Sequence, residues 1–182
     1  MNNWLNKVFS TFNSFNSILY LGCKLLDIFS SYIVFYNVDC SSNKSKISHC
    51  KKLDKIILEF LSDPRMFVII SDMSIKNNVA SFISHIHFFN NLLKKTLYYA
   101  INIISTEAKL FAIRCGISQV VQIQLVSYII VITDAINIAK KIFDPSIYLH
   151  QQQVIAILKD LRVFFNKHED NTIEFWDCPN DK

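Results

Sequence analysis

The residues that could carry out chemistry are few and are scattered along the chain. The five cysteines are Cys23, Cys40, Cys50, Cys115 and Cys178. No two of them have Cys-x-x-Cys spacing, which argues against a zinc site and favours reduced cysteines. His85 and His87 are two residues apart, so on a helix their side chains would point about 200° apart. We therefore expect no bound metal and no cofactor.

Cys115 could in principle be an activated thiol. Arg114 precedes Cys115, and a neighbouring cation can activate a thiol, although a buried structural cysteine explains the same pair. The sequence contains no glycine-rich phosphate loop, no His-Glu-x-x-His motif, no Gly-x-Ser-x-Gly motif and no carboxylate pair in an apolar setting. We therefore predict no catalytic residues and no enzymatic activity.

The composition favours long helices near a membrane. Hydrophobic residues make up 51% of the chain and charged residues 19%, against roughly 25% charged residues in ordinary soluble proteins. Two glycines and three prolines leave few breaks for many short strands. The net charge of +4 suits an anionic membrane surface better than nucleic acid. We therefore predict an all-α protein with few long helices, and we exclude nucleic acid as a partner.

The clearest amphipathic segment begins at Lys51 and ends near Ser62. Its apolar residues recur at three- and four-residue intervals and fall on one face of a helix. A polar, lysine-rich loop is expected before it, over residues 39–52, and Asp63-Pro64 after it is typical of an N-cap and first helical residue. An apolar stripe flanked by lysines is typical of a helix on an anionic membrane. The predicted membrane-binding residues are Lys51, Lys52, Leu53, Lys55, Ile56, Ile57, Phe60 and Leu61.

Other apolar segments complete the expected architecture. Periodicity predicts helices over residues 4–37, 75–115 and about 146–165. The run from Cys115 to Thr133 carries no charge and would be about 28 Å long as a helix, so it is the candidate transmembrane or membrane-embedded helix. We expect one helical membrane-associated domain over residues 1–166 and a polar acidic tail without regular structure over residues 167–182.

The order of four segments resembles the peroxin-11 family of peroxisomal membrane-elongation proteins, and its gamma branch in particular. These segments are Ile18–Leu25 (ILYLGCKL), Ser48–Val68 (SHCKKLDKIILEFLSDPRMFV), Leu97–Leu110 (LYYAINIISTEAKL) and Leu125–Phe143. The chain departs from the family where Ile103 or Ile104 stands in place of the usual tryptophan. It also lacks the glycine-containing apolar segment with which the family usually ends.

The resemblance implies a peroxisomal membrane protein that remodels the bilayer during elongation, fission and proliferation of peroxisomes. It implies self-association into a homo-oligomer, and peroxisomal membrane lipids, fission adaptors and a dynamin-related GTPase as partners. The alternative is a soluble all-α helical bundle, similar to apoptosis regulators, that binds a partner helix in a groove. In that bundle the helix over residues 51–63 would pack inside, and Cys115–Thr133 would be the central buried helix.

Overall fold

The computed structural model describes residues 25, 27–37, 43–60, 62–77, 79–88, 91–144, 151–168 and 170–178. The strands are β1 (Ile33–Tyr36), β2 (Met66–Lys76), β3 (Val79–Phe88), β4 (Asn91–Ile101), β5 (Tyr128–Thr133) and β6 (Thr172–Asp177). The helices are α1 (Asn43–Phe60), α2 (Ser105–Val120), α3 (Ile136–Lys141) and α4 (Gln151–Lys167). These six strands form one mixed sheet in the order β1-β6-β5-β2-β3-β4.

The sheet combines an antiparallel half and a parallel half. Strands β2, β3 and β4 follow one another as antiparallel neighbours, with a register shift between Ile86 and His87. Strands β2, β5, β6 and β1 run parallel, with Met66 opposite Tyr128 and Ser71 opposite Thr133. Since β4 runs in the same direction as β2, helix α2 begins at the edge where the parallel strands end.

Side chains alternate between the two faces of the sheet, and helices pack on both faces. On one face, Phe67 and Ile69 of β2 pack in the same buried cluster as Ile113 of α2 and Leu158 of α4; we call this face the α2 side. On the other face, a smaller buried cluster gathers around helix α1. Its buried members are Leu53, Val68, Ile130, Ile132 and Trp176. We call this second face the α1 side.

Helix α1 confirms the predicted amphipathic helix, although it begins earlier than expected. Residues 43–50, expected to be a loop, form its first turns. Leu53 is buried against the sheet, and Ile56 and Ile57 are half-buried there. Lys51, Lys52 and Lys55 are exposed, and Leu61 and the side chain of Phe60 lie outside the described residues. The assignment of these eight residues to membrane binding stays a prediction.

The predicted all-α fold is wrong, because the long helix expected over residues 75–115 is mostly sheet. The chain there forms the end of β2, all of β3 and β4, and only then helix α2. Two asparagines adopt the left-handed conformation that glycine usually adopts: Asn77 after β2 has φ 52° and Asn102 after β4 has φ 58°. Asp63 begins a turn rather than a helix, since its carboxylate accepts a hydrogen bond from the Arg65 backbone N–H at 2.8 Å.

The expected membrane-embedded helix is also wrong. Residues 115–133 contain the last turns of α2, a connecting turn and strand β5. Among the described residues, the helices are too short or too polar to cross a bilayer. The helix predicted near residues 146–165 is confirmed as α4 from Gln151 onward. Residues 4–24 and 26 of the first predicted helix lie outside the described residues, and its end contains strand β1.

The stretch expected to be a polar tail contributes strand β6 to the interior of the sheet. Trp176 of this strand is buried and stacks on Tyr36, with ring centroids 4.0 Å apart. Its indole N–H donates to the buried Glu174 carboxylate at 2.7 Å, and the Tyr128 hydroxyl donates to the same carboxylate. Burial and the charge of Glu174 raise the pKa of Tyr128 well above its usual range. Trp176 is therefore a packing anchor.

Helix α2 approaches β2 so closely that only glycine fits at the crossing. A Cβ atom on Gly116 would lie 2.3 Å from the Ile69 Cγ2 atom and 2.8 Å from the Ser84 Oγ atom. Such distances require the helix or the strand to move. Gly116 thus fixes the height of α2 above the sheet.

We predict that Gly116→Ala lowers the free energy of unfolding by about 1–3 kcal/mol despite the better helix propensity of alanine. Chemical denaturation measures this change. Gln152→Ala, on the exposed face of α4, is the control and should stay within about 0.5 kcal/mol of wild type. A Gly116→Ala protein as stable as wild type would contradict the close crossing.

Candidate functional site

Three acidic residues lie where the parallel pairing of neighbouring strands ends. Asp72 follows Ser71, the last residue of β2 that pairs with β5, and Asp134 follows Thr133, the last residue of β5. Asp177 is the last residue of β6 and pairs with Thr133. Because these strands are parallel and in register, the three carboxylates lie at one edge of the sheet. We call Asp72, Asp134, Asp177 and the adjoining Cys178 the acidic edge.

Cys178 lies within electrostatic range of the carboxylates of the acidic edge. Its backbone N–H donates to the Thr133 carbonyl oxygen at 3.0 Å, which continues the β5–β6 ladder. Burial is the largest cause that raises the pKa of the Cys178 thiol. Smaller contributions come from the charges of Cys50, Asp177, Asp134 and Asp72. The charges of all three carboxylates therefore act on this thiol.

The acidic edge coincides with the place where the order of the strands reverses. From β2 the chain moves outward through β3 and β4, whereas from β5 it moves in the opposite direction to β6. In open α/β sheets, ligands bind outside the carboxyl ends of the strands at such a reversal, where the connections diverge and leave a crevice. Asp72 and Asp134 flank that position.

A lysine from helix α2 reaches Asp134. The Lys109 Nζ atom lies 2.7 Å from the Asp134 Oδ2 atom, and the two side chains are only 19% and 12% exposed. Glu107 of the same helix is two residues earlier, so its side chain points about 200° away from that of Lys109. Helix α2 therefore presents a cation to Asp134 rather than a further carboxylate.

The residues at this edge do not fit a divalent cation as they stand. Divalent cations such as Mg²⁺ and Ca²⁺ are held in proteins by sets of oxygen ligands, most often carboxylates. In the part of the chain that the structure describes, no three His, Cys, Asp or Glu side chains are gathered closely enough to hold a metal. The Lys109 ammonium group also lies on the Asp134 oxygen to which a cation would bind. The donor set and the charge thus disagree with a metal site.

Helix α1 borders the acidic edge and adds basic residues to it. The His49 Nε2 atom lies 3.0 Å from the Asp177 carbonyl oxygen. One turn later along the helix, the Lys52 Nζ atom lies 5.9 Å from the centroid of the Trp176 ring. Lys51 and Lys52 are exposed beside this contact. The edge therefore joins carboxylates with lysines that can meet an anionic ligand.

A cavity of about 520 Å³ lies at the opposite edge, where β2, β5 and β6 begin. Its lining residues are Asp63, Arg65, Met66, Leu125, Ser127, Tyr128, His168, Asp170 and Asn171. Arg65 is engaged there by the Asp63 carboxylate at 2.8 Å. The amino ends of the strands are not where ligands of open α/β sheets bind. We therefore assign the candidate site to the acidic edge.

The residues singled out from sequence lie elsewhere. Cys115 is buried in α2, and burial raises its pKa against the opposing hydrogen bond with Tyr98 and the charge of Arg114. That environment favours a structural cysteine. His85 and His87 lie on strand β3, with ring centroids 6.3 Å apart, rather than on a helix. Burial, followed by the charge of His85, lowers the pKa of His87.

Comparisons with known proteins support the fold. No protein-family model and no curated protein matches the sequence. The N-terminal RNase H domain of a Mycobacterium tuberculosis protein, solved as a fusion with maltose-binding protein, is similar in structure with a TM-score of 0.53. The two chains are 12% identical, and the alignment covers 63% of this chain and 88% of that domain's chain. RNase H1 from the archaeon Halobacterium salinarum has a TM-score of 0.52 at 10% identity, covering 63% and 86%. The chain therefore has an RNase H-like fold.

The likeness overturns the peroxin-11 resemblance and what it implied. A mixed α/β sheet of RNase H type is neither a membrane-remodelling helical protein nor the alternative all-α bundle. The implied lipid, homo-oligomer, fission-adaptor and GTPase partners lose their basis with it. The exclusions of an enzyme and of nucleic acid were also wrong, since the similar solved domains are nucleases by name. The peroxisomal location stays a prediction.

The acidic edge can be tested through the Cys178 thiol. Since neighbouring carboxylates raise its pKa, Asp72→Asn should lower that pKa and speed alkylation by iodoacetamide at pH 8. Peptide-resolved mass spectrometry follows Cys178 separately from the other cysteines. Asp170→Asn, an exposed carboxylate near the opposite edge, is the control. Equal rates in both variants would contradict the proximity of Asp72 and Cys178.

Proposed function

We propose that this chain binds nucleic acid across the acidic edge and hydrolyses phosphodiester bonds there. The observation that carries the proposal is the position of Asp72 and Asp134, each directly after the last paired residue of adjacent parallel strands, at the topological reversal of an RNase H-like sheet. The fold alone does not determine the reaction, because one fold hosts many functions. The charges at this edge supply the chemical argument.

The carboxylates and the lysine have complementary roles toward a phosphodiester. Asp72 is exposed, so its carboxylate can orient a water molecule and accept its proton as a general base. Lys109 can stabilise the negative charge that accumulates on the phosphoryl oxygens. Asp134 holds the Lys109 ammonium group in place at 2.7 Å.

The exposed lysines of α1 suit the backbone of a nucleic acid. Phosphate contacts by lysine provide affinity without sequence information. Lys51 and Lys52 are exposed on the helix that contacts the acidic edge through His49 and Asp177. Lys55 is exposed on the following turn, where it pairs with Glu59 at 3.7 Å. A strand of phosphates lying along α1 would reach the carboxylates at the sheet edge.

We predict that Asp72→Asn lowers the rate of phosphodiester cleavage about a hundredfold or more, because it removes the general base. Fluorescently labelled RNA–DNA hybrid, duplex DNA and single-stranded RNA are incubated with each protein and resolved on denaturing gels. Asp170→Asn removes an exposed carboxylate near the opposite edge and should cleave like wild type. Absence of cleavage of all three substrates by wild type would refute the hydrolytic part of the proposal.

We predict that Lys52→Ala weakens binding of an RNA–DNA hybrid and reduces the slope of log K against log salt by about one. Fluorescence anisotropy at several salt concentrations measures both quantities. Lys159→Ala, on the exposed surface of α4 over the α2 side, removes the same charge away from the proposed path and should leave the slope unchanged. Equal slopes for the two variants would place the nucleic acid elsewhere.

A further inference from the structure

Lys109 is not an ordinary surface lysine. Ala112 and Gly116 lie three and seven residues after it, on the same face of α2, and both are buried against the sheet. Lys109 therefore begins on the inner face of the helix, above the edge where the pairing of β2 with β5 ends. Its side chain is 19% exposed and Asp134 is 12% exposed, so the ion pair is held largely away from water.

The geometry points to Lys109 as the resident cation of the acidic edge: its ammonium group takes the place on Asp134 that a divalent metal ion would otherwise take. A largely buried carboxylate requires a compensating charge, and an ammonium group at 2.7 Å supplies it. The same ammonium group repels a second cation. The inference concerns the edge on which the proposed function rests, but it depends on the ion pair alone.

The inference explains why the described residues gather no set of three metal-binding side chains at this edge. Asp72 and Asp134 each follow a pairing residue of adjacent strands, and helix α2 approaches them with a positive residue. With a carboxylate at position 109, helix α2 would add an acidic group directly beside Asp134, on the side of Asp72. Three carboxylates are a suitable set for a hard cation such as Mn²⁺.

The experiment measures Mn²⁺ binding to the full chain without nucleic acid, by electron paramagnetic resonance of the free ion. Wild type and Lys109→Arg, which keeps the positive charge, should bind weakly. Lys109→Glu should create one site that binds at least about tenfold more tightly than wild type, because it adds a carboxylate and removes a cation. Asp134→Asn in the Lys109→Glu background should abolish that site. Lys159→Glu, with the same charge change on α4, should behave like wild type.

A second measurement covers the case in which Lys109→Glu does not fold. Lys109→Gln removes the charge with little change in side-chain size, so Asp134 loses its partner and the melting temperature should fall. Mn²⁺ should then raise the melting temperature of Lys109→Gln more than that of wild type, because the ion binds only the folded state. No greater Mn²⁺ effect on Lys109→Gln than on wild type would overturn the inference.

Two further results would also overturn it: Mn²⁺ binding by Lys109→Glu no tighter than by Lys159→Glu, or tight stoichiometric binding by wild type. Each would show that Lys109 does not occupy a cation position. Neither result bears on cleavage by wild type or on its loss in Asp72→Asn. Failure of this inference and failure of the proposed function are therefore distinguishable.

Discussion

The parallel pairing of β2 with β5 is the constraint on which the rest of the molecule depends. The segments that pair, Met66–Ser71 and Tyr128–Thr133, are largely buried and contribute side chains to both faces. A shift of one residue would therefore exchange every side chain between the α1 side and the α2 side. The fixed register carries the chain past the last paired residues, Ser71 and Thr133, and delivers Asp72 and Asp134 to one edge. Strand β6 extends the same register and adds Asp177. The acidic edge is thus a consequence of core packing, although none of its carboxylates belongs to the core.

Helix α2 connects the packing on the α2 side of the sheet to the acidic edge. Ala108 and Ala112 pack with Ala80 of β3, and Gly116 contacts β2 directly. These small residues bring the helix axis close to the sheet, and they leave Lys109 near the ends of the strands. A bulkier helix face would raise the helix and withdraw the ammonium group from Asp134. The small residues Ala108, Ala112 and Gly116 therefore determine both how closely α2 packs on the sheet and whether Lys109 reaches Asp134.

The sequence predicted those elements in which only one face is buried. Helix α1 has an apolar stripe around Leu53 and a lysine-rich outer face, and its periodicity identified it correctly. Strands β2 and β5 are apolar on both faces, so they show no alternation, and their apolar runs could not be told from helices by periodicity. The scarcity of glycine was misleading because Asn77 and Asn102 adopt the left-handed conformations.

The acidic edge was missed because its residues are distant in sequence. The local pattern that could have indicated it is an apolar run that ends in Ser71-Asp72 and a second apolar run that ends in Thr133-Asp134.

The lysines of α1 attracted a membrane interpretation because anionic lipids and nucleic acids present the same phosphate chemistry. Adsorption of an amphipathic helix to a bilayer requires its apolar face as well as its charge. In α1 that face packs on the sheet, where Leu53 is buried beside Val68 and Trp176. The helix exposes Lys51, Lys52 and Lys55 to solvent, together with the apolar side chains of Ile47 and Leu58. Electrostatic attraction by these lysines suits a flexible chain of phosphates that can bend toward the sheet edge, where Lys109 and the carboxylates lie. Under the proposed function, these lysines hold the phosphate backbone of a nucleic acid across the acidic edge.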